Sequence, residues 1–199
     1  MQIISPMKKI LSKMLAGPHF DAGRQPAAIP IRHMKFDFEP HRLDHRFYMN
    51  AELASAYFAS LSIFLTYGEG LVVDTARYHR ERLQDPLLKQ RVTALIGQEA
   101  QHSRLHEELN DAYMQQGLPV KLFRRWAGWV FDYGFSRLPQ PMKLSLMAGI
   151  EHFTAVLAEY MMKHEQVFFT SQDEKQRAIW LWHMLEESEH KDIAYDVFQ

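Results

Sequence analysis

Two short motifs pair a glutamate with a histidine three residues later: Glu99 with His102, and Glu187 with His190. In an α-helix, residues three apart lie about 60° apart around the axis and almost one turn along it. Each pair could therefore reach one metal ion, or two adjacent ions. One such pair is common by chance. Two pairs on separate helices predict a shared carboxylate and histidine metal site.

Two further glutamates complete the pattern that a dinuclear carboxylate site requires. Glu69 and Glu151 lie inside apolar stretches, where a buried carboxylate is costly unless it is paired or bound to a cation. At a rise of ~1.5 Å per residue, and with helices turning near residues 85 and 169, Glu69 falls level with Glu99 and Glu151 with Glu187. We therefore expect all four carboxylates near the middle of a bundle.

The chain has no cysteine, which excludes thiolate zinc sites and iron–sulfur clusters. Glutamate and imidazole suit iron or manganese, and zinc less specifically. A mononuclear zinc site would not need so many acids. The sequence therefore predicts two divalent metal ions, with iron favoured and manganese or zinc as alternatives.

Three other residues share these helix faces. His106 and His183 could be extra ligands, could orient a ligand, or could bind water at the bundle end. Glu186 competes with Glu187 for the ligand role. We favour Glu187 because its spacing repeats that of Glu99 and His102, and we keep Glu186 as a candidate catalytic base.

Four long helices must position these residues, and strand signals are nearly absent. The first is expected from about Asn50, as its cap, to about residue 83, and the second from Pro86, capped by Asp85, to about residue 116. The third runs from about residue 142 to 167. A fourth, capped by Thr170 or Ser171, continues to the chain end. This predicts an all-α, ferritin-like four-helix bundle with a long crossover between the second and third helices.

We expect residues 1–48 to form an N-terminal segment and extended arm, with a short strand as an option, and residues 49–199 to form the metal-binding helical bundle. Because Gln199 falls inside a predicted helix, the bundle is expected to continue in a longer protein. The apolar positions of the first helix and the aromatic residues are assigned to the core: Leu53, Tyr57, Leu61, Phe64, Leu65, Phe58, Trp126, Trp129, Phe153, Trp180 and Trp182.

Composition limits the partners. A formal net charge of −1 gives no electrostatic case for nucleic acid. The N-terminus lacks a signal peptide and no run of about twenty apolar residues occurs, so we expect a cytoplasmic protein. Residues 4–14 could form a basic amphipathic helix, and residues 120–136 interleave basic and aromatic side chains. A frayed or docked terminal helix is the favoured interpretation of the first segment, and a connector packed across the bundle is that of the second. Peripheral membrane association and a homodimer stay open.

Several segments resemble the bacterial "predicted metal-dependent hydrolase" family from about residue 28 to the end. They are Ile29-Pro30-Ile31-Arg32-His33-Met34, Gly97-Gln98-Glu99-Ala100-Gln101-His102, Glu151-His152-Phe153-Thr154, Trp182-His183 and Glu186-Glu187-Ser188-Glu189-His190-Lys191. The resemblance implies a ferritin-like fold. It also places eight residues on matching motif positions: Glu69, Glu99, His102, His106, Glu151, His183, Glu187 and His190.

Three functions are consistent with these residues. Ligand chemistry favours a non-haem di-iron oxidase or oxygenase acting on an apolar small molecule. The family name favours a hydrolase that uses a metal-activated water. Non-enzymatic metal binding or storage is the third, and the missing acidic excess argues against bulk iron storage. No nucleophile elbow, P-loop or dinucleotide-binding motif is present in the sequence.

Overall fold

The computed structural model describes residues 29–39, 43–170 and 173–199. Within these ranges the chain has seven α-helices, one π-helical segment and no strand, which confirms the all-α class and excludes the optional strand from residues 29–39. The expected N-terminal amphipathic helix lies outside the described residues. The ferritin-like bundle topology and the division at residue 48 stay predictions.

The first two long helices pack closely along each other. Helix α1 covers Glu52–Arg80 and α2 covers Pro86–Gln115. As predicted, the Asp85 carboxylate caps α2 by accepting a hydrogen bond from Leu87 N at 2.8 Å. The predicted Asn50 cap is wrong, because Ala51 holds the cap position without a side-chain bond. Asn50 instead adopts a left-handed φ of 51°, which asparagine tolerates better than most residues.

The crossover between the second and third long helices is itself helical. Helix α3 covers Val120–Trp129 and continues into a π-helical segment, Val130–Phe135. The Tyr67 hydroxyl of α1 donates to Arg124 O at 3.1 Å, and the Tyr67 and Phe131 rings stack at 5.9 Å. The crossover therefore packs across α1, in agreement with the favoured interpretation.

The third long helix is shorter than expected. Helix α4 covers Gln140–Lys163, breaks at His164 and is followed by the short α5, Glu165–Phe168. Helix α4 packs on the last two helices, α6 and α7, and α7 also contacts α2.

Helix α6 covers Glu174–Glu187 and α7 covers Ile193–Phe198. Thr170 is not the cap of α6, and Ser171 lies outside the described residues. Asp173 caps the helix by accepting from Lys175 N and Gln176 N.

A continuous fourth helix to the chain end is also wrong. Residues 188–192 form turns, and His190 lies in them. His190 N donates to Glu187 O at 3.1 Å, so the two residues stay close in space, in a turn that is tighter than an α-helix.

The predicted buried face of α1 is wrong at its N-terminal end. Leu53 is 84% exposed and Tyr57 is 63% exposed, whereas Ser55 and Ser62 are buried. Ser55 Oγ accepts a hydrogen bond from Tyr48 N at 2.9 Å, so the small polar side chain is satisfied inside. The face of α1 buried at this end therefore includes small hydrogen-bonded serines, whereas apolar periodicity indicated another face.

The aromatic residues divide between core and surface. Trp180, Trp182 and Phe58 lie in the main core, as predicted. Trp126, Trp129 and Phe153 are exposed, which corrects their assignment to the core. In α3 the smaller Val120 and Ala127 face inward, so the helix lies against its neighbours and its tryptophans point outward.

Among the described helices, α1 is long and apolar enough to cross a membrane by length and composition. Helix α1 is therefore an exception to the expectation that the sequence contains no run of about twenty apolar residues. Core helices of water-soluble proteins pass the same test. Helix α1 packs against α2, α3 and α4 and buries Glu69, and 39% of its most apolar 18-residue window is buried inside the protein.

Candidate metal centre

Eight acidic and imidazole side chains gather in the interior, and each is at most 5% exposed. Helix α1 supplies one, α2 three, α4 one, α6 two and the turn after α6 one. They are Glu69, Glu99, His102, His106, Glu151, His183, Glu187 and His190. We call this set the Glu/His cluster. It contains every residue that the sequence favours as a ligand or additional ligand, and Glu186, the competitor of Glu187, is buried beside it.

The cluster contains four overlapping groups of three whose donor atoms all lie within 4.8 Å of one another. Glu99, Glu187 and His190 form one group, and Glu69, His106 and His183 another. His102 joins Glu69 and Glu99 in a third group, and His183 and Glu187 in the fourth. The groups share members, so they form one continuous set of donors.

At one end of the cluster, three carboxylates surround one imidazole nitrogen. His190 Nδ1 lies 3.0 Å from Glu99 Oε1, 3.0 Å from Glu151 Oε2 and 3.7 Å from Glu187 Oε2. This crowding of negative charge is expensive in a dry interior unless cations or protons balance it.

Glu187 connects this end to the other. Its second oxygen, Oε1, lies 3.1 Å from His183 Nε2 and 3.7 Å from His102 Nδ1. His183 Nδ1 in turn lies 3.9 Å from Glu69 Oε1. With one oxygen directed to each end, Glu187 contacts imidazoles at both ends of the cluster.

Several donor atoms in the cluster lack a partner. Neither oxygen of Glu69 has a hydrogen bond within the described part of the chain, and neither does His102 Nδ1. Each of these atoms is buried and could bind a metal ion, His102 Nδ1 after it loses its proton. A cation held among them would remove the cost of leaving them unpaired, so the residues present are suited to a metal ion.

A second indication comes from counting protons along one buried chain of contacts. Ser62 Oγ lies 2.8 Å from Asn110 Oδ1 and 2.7 Å from His106 Nδ1. The other nitrogen of that ring, His106 Nε2, lies 2.8 Å from His183 Nδ1. His183 Nε2 completes the chain at 3.1 Å from Glu187 Oε1. With neutral rings, one hydroxyl and two imidazoles supply three protons for these four contacts. A cation at the end near Glu187 would supply the missing positive partner.

Burial and neighbouring charge set the protonation of the metal-free cluster. Burial, with the charge of Glu99, raises the pKa of Glu151 to about 7 and that of Glu69 well above its ordinary value. Burial also acts against Glu187, but the adjacent His183 and His190 rings hold its pKa well below the ordinary value. The carboxylates therefore divide into protonated and ionised members.

The imidazoles divide in the same way. Burial disfavours the charged ring of His102, but the Glu186 carboxylate at 3.0 Å and the Glu99 carboxylate at 3.5 Å raise its pKa to about 10. Hydrogen bonds to Glu151, Glu187 and Glu99 likewise raise the pKa of His190. Burial lowers the pKa of His106 and His183, which keeps those two rings neutral. Protons thus hold the places that metal ions would take.

The Nε2 atoms of His102 and His190 point away from the cluster, and each contacts a side-chain oxygen that can accept its hydrogen bond. His102 Nε2 lies 3.0 Å from Glu186 Oε2, and His190 Nε2 lies 2.9 Å from Gln98 Oε1. With Nε2 held in this way, the Nδ1 atom of each ring faces the cluster and could bind a metal ion once its own proton is displaced. Glu186 therefore lies behind His102, where it orients the ring, and its position does not favour the role of water-activating base.

The arm fixes these acceptors in turn. Arg32 Nη1 donates a hydrogen bond to Glu186 Oε1 at 3.1 Å. The same guanidinium donates two hydrogen bonds to the Glu189 carboxylate, at 2.9 and 2.7 Å. Gln98 Nε2 donates to Pro30 O at 3.0 Å and to Glu189 Oε2 at 2.9 Å. We call this set the arm network.

Sequence reasoning missed the positioning residues Arg32, Gln98, Glu189, Ser62 and Asn110. The arm and Gly-Gln-Glu segments contain two of them, Arg32 and Gln98. A polar side chain beside a nominated ligand was the signal available for Gln98.

Comparisons with curated proteins and with solved structures give no significant match. The family model described as "Predicted metal-dependent hydrolase" matches residues 30–199, which include the arm network and the whole Glu/His cluster. The chain therefore belongs to the predicted metal-dependent hydrolase family.

Proposed function

We propose that this protein is a metal-dependent hydrolase whose Glu/His cluster holds two divalent metal ions. The observation that carries the proposal is a set of buried atoms without a hydrogen bond in the described part of the chain, namely both carboxylate oxygens of Glu69 and Nδ1 of His102. Family membership supports hydrolysis as the reaction class.

The donor groups suggest a division of the ligands. Glu99, Glu151, Glu187 and His190 would hold one ion, because His190 Nδ1 and the carboxylate oxygens converge there. Glu69, His102 and His183 would hold the other, with Glu187 shared through its two oxygens. Iron is favoured by the oxygen and nitrogen donors, and manganese and zinc are alternatives.

His106 has a different role in this proposal. Its Nδ1 contacts Ser62 and its Nε2 contacts His183, so both ring nitrogens are already occupied. It would therefore orient His183, much as Glu186 orients His102 and Gln98 orients His190.

A bound divalent ion would lower the pKa of a coordinated water and polarise the scissile group. The chain itself excludes bulk water, since every cluster residue is buried, and holds the imidazoles in one orientation. We expect a small-molecule substrate. We propose that it is apolar, because the Trp180 and Trp182 rings pack against the cluster imidazoles.

The second candidate function is an oxygen-dependent oxidase or oxygenase. The specific observation in its favour is the four-glutamate donor set, which resembles that of dinuclear carboxylate proteins. Both candidates use the same cluster, so the reaction must be tested separately from metal binding.

The test uses chelator-stripped protein reloaded with Zn²⁺, Mn²⁺ or, without air, Fe²⁺. Nitrophenyl esters of carboxylic and phosphoric acids serve as probes in ¹⁸O-labelled water. We expect metal-dependent cleavage, with ¹⁸O from water in the acid product and no effect of removing O₂. Turnover that requires O₂, without ¹⁸O from water in the product, would favour the oxidase instead.

Two variants separate the cluster from its surroundings in this assay. His190→Ala should abolish the metal-dependent reaction, because it removes a donor that contacts three carboxylates. His152→Ala is the matched control, since His152 is exposed beside Glu151. The control should retain full activity.

A further inference from the structure

A stripe of large apolar side chains faces outward on the crossover. Leu122, Trp126, Trp129 and Tyr133 are each more than half exposed, at 54%, 57%, 58% and 59%. Their spacing of four, three and four residues keeps them on one side of the helix. We call these four residues the α3 stripe.

The α3 stripe is a connected surface. The Trp126 and Trp129 rings meet edge to face at 6.2 Å, and Trp129 and Tyr133 lie 6.3 Å apart. With Arg125, three members of the stripe line an open groove. The opposite side of α3 is anchored by buried Val120 and Ala127, so the aromatic residues have no route into the core without unpacking the helix.

Exposed cations border the α3 stripe. Lys121 and Arg125 are exposed and form no ion pair within the described part of the chain, and the Arg137 guanidinium lies 4.6 Å from the Tyr133 ring centroid. Arg124, by contrast, is paired with Glu107 and Asp111. The exposed Asp132 precedes Tyr133, so the border has three cations and one carboxylate, whereas the whole chain has a net charge of −1.

We propose that the α3 stripe docks the protein onto the surface of an anionic lipid bilayer. Tryptophan and tyrosine favour the headgroup region, where an apolar ring body and a polar edge are both satisfied. Unpaired lysine and arginine beside them are complementary to anionic headgroups. The helix would lie flat on the bilayer, with its buried side still packed on α1 and α2.

Sedimentation with vesicles tests this proposal on the full, metal-loaded chain. Vesicles of phosphatidylcholine alone are compared with vesicles that also contain phosphatidylserine. We expect binding to the anionic vesicles that weakens with salt. Replacing Lys121 and Arg125 with Gln should weaken binding roughly fivefold for each cation.

Two further variants separate the stripe from surface apolarity in general. The double variant Trp126→Ala with Trp129→Ala should abolish vesicle binding and leave the unfolding temperature unchanged, because both side chains are exposed. Tyr57→Ala is the matched aromatic control, and Lys163→Gln the matched basic control. Both residues are exposed and lie outside the stripe, so both variants should bind as the wild type does.

Three outcomes would overturn the proposal. The first is equal binding to neutral and anionic vesicles, and the second is full binding by the double tryptophan variant. The third is no vesicle binding together with a dimer, measured by light scattering, that the same variant converts to a monomer. That result would assign the stripe to contact between two copies of this chain.

Discussion

Removing the Arg32 side chain should weaken metal binding although Arg32 lies outside the Glu/His cluster. Arg32→Met deletes the guanidinium group, which contacts Glu186 at 3.1 Å and Glu189 at 2.7 Å. The Glu186 carboxylate is fully buried and would keep only its contact with His102. The ring of His102 would then lose its fixed orientation.

The size of the effect follows from the burial of the three groups. Breaking a fully buried ion pair by removing one partner costs about 3–5 kcal/mol. Arg32 and Glu189 are 18% and 20% exposed, so water relieves part of the cost, and we expect about 2–3 kcal/mol. At about 2–4 °C per kcal/mol for a chain of this size, the unfolding temperature should fall by roughly 4–12 °C. Metal affinity should fall about 10–100-fold.

Competition with a fluorescent chelator measures the affinity, and calorimetry measures unfolding. Arg46→Met is the matched control, because Arg46 pairs with Glu52 in an exposed bridge at 2.7 Å and should change stability by about 0–1 kcal/mol. Arg32→Lys keeps the charge but not the guanidinium group, and should fall between wild type and Arg32→Met. If Arg32→Met unfolds early yet binds metal as the Arg46 control does, the arm only stabilises the fold and the reasoning is refuted.

Two other predictions concern the same region. A Cβ at Gly97 would overlap the terminal methyl of the exposed Ile31 side chain, so Gly97→Ala should force that side chain of the arm to turn and should slightly weaken metal binding in the chelator assay. Gly149→Ala meets open space, should stabilise α4 by up to about 1 kcal/mol, and should leave affinity unchanged; equal affinities in the two variants would contradict the arm's role. Metal binding at pH 6 should displace protons from Glu151, whose pKa is about 7, and His102, whose pKa is about 10. By pH 8 Glu151 is already ionised, so calorimetry in two buffers should detect about one proton fewer released on metal binding than at pH 6. An equal number of released protons at the two pH values would contradict the protonation of Glu151 at pH 6.

The placement of the cluster was predictable because it depends on local periodicity. Glu99 and His102 are about one turn apart on α2, and the similar distances of the four glutamates from the connections between helices place them at about one level. The same spacing could not reveal that His190 follows the end of α6. An i to i+3 relation is similar in an α-helix and in the tighter turn that the chain forms there.

The outer contacts were not predictable from local pattern. Arg32 and Glu186 are separated by 154 positions, and only the assembled fold shows that the arm crosses the cluster. The exposure of Trp126 and Trp129 was missed for a related reason. An apolar side of a helix is visible in the sequence, but whether protein or another surface covers it is decided by packing.

Metal stoichiometry is the most direct test of the central claim that the buried Glu/His cluster is a metal site. The protein is purified from iron- and manganese-replete medium, dialysed, and measured by elemental mass spectrometry together with the double variant Glu99→Ala, Glu187→Ala. We expect about two divalent ions per wild-type chain, as in dinuclear carboxylate sites, and none in the folded double variant. A wild-type chain that binds no metal after reloading, or a double variant that keeps the full amount, would contradict the claim.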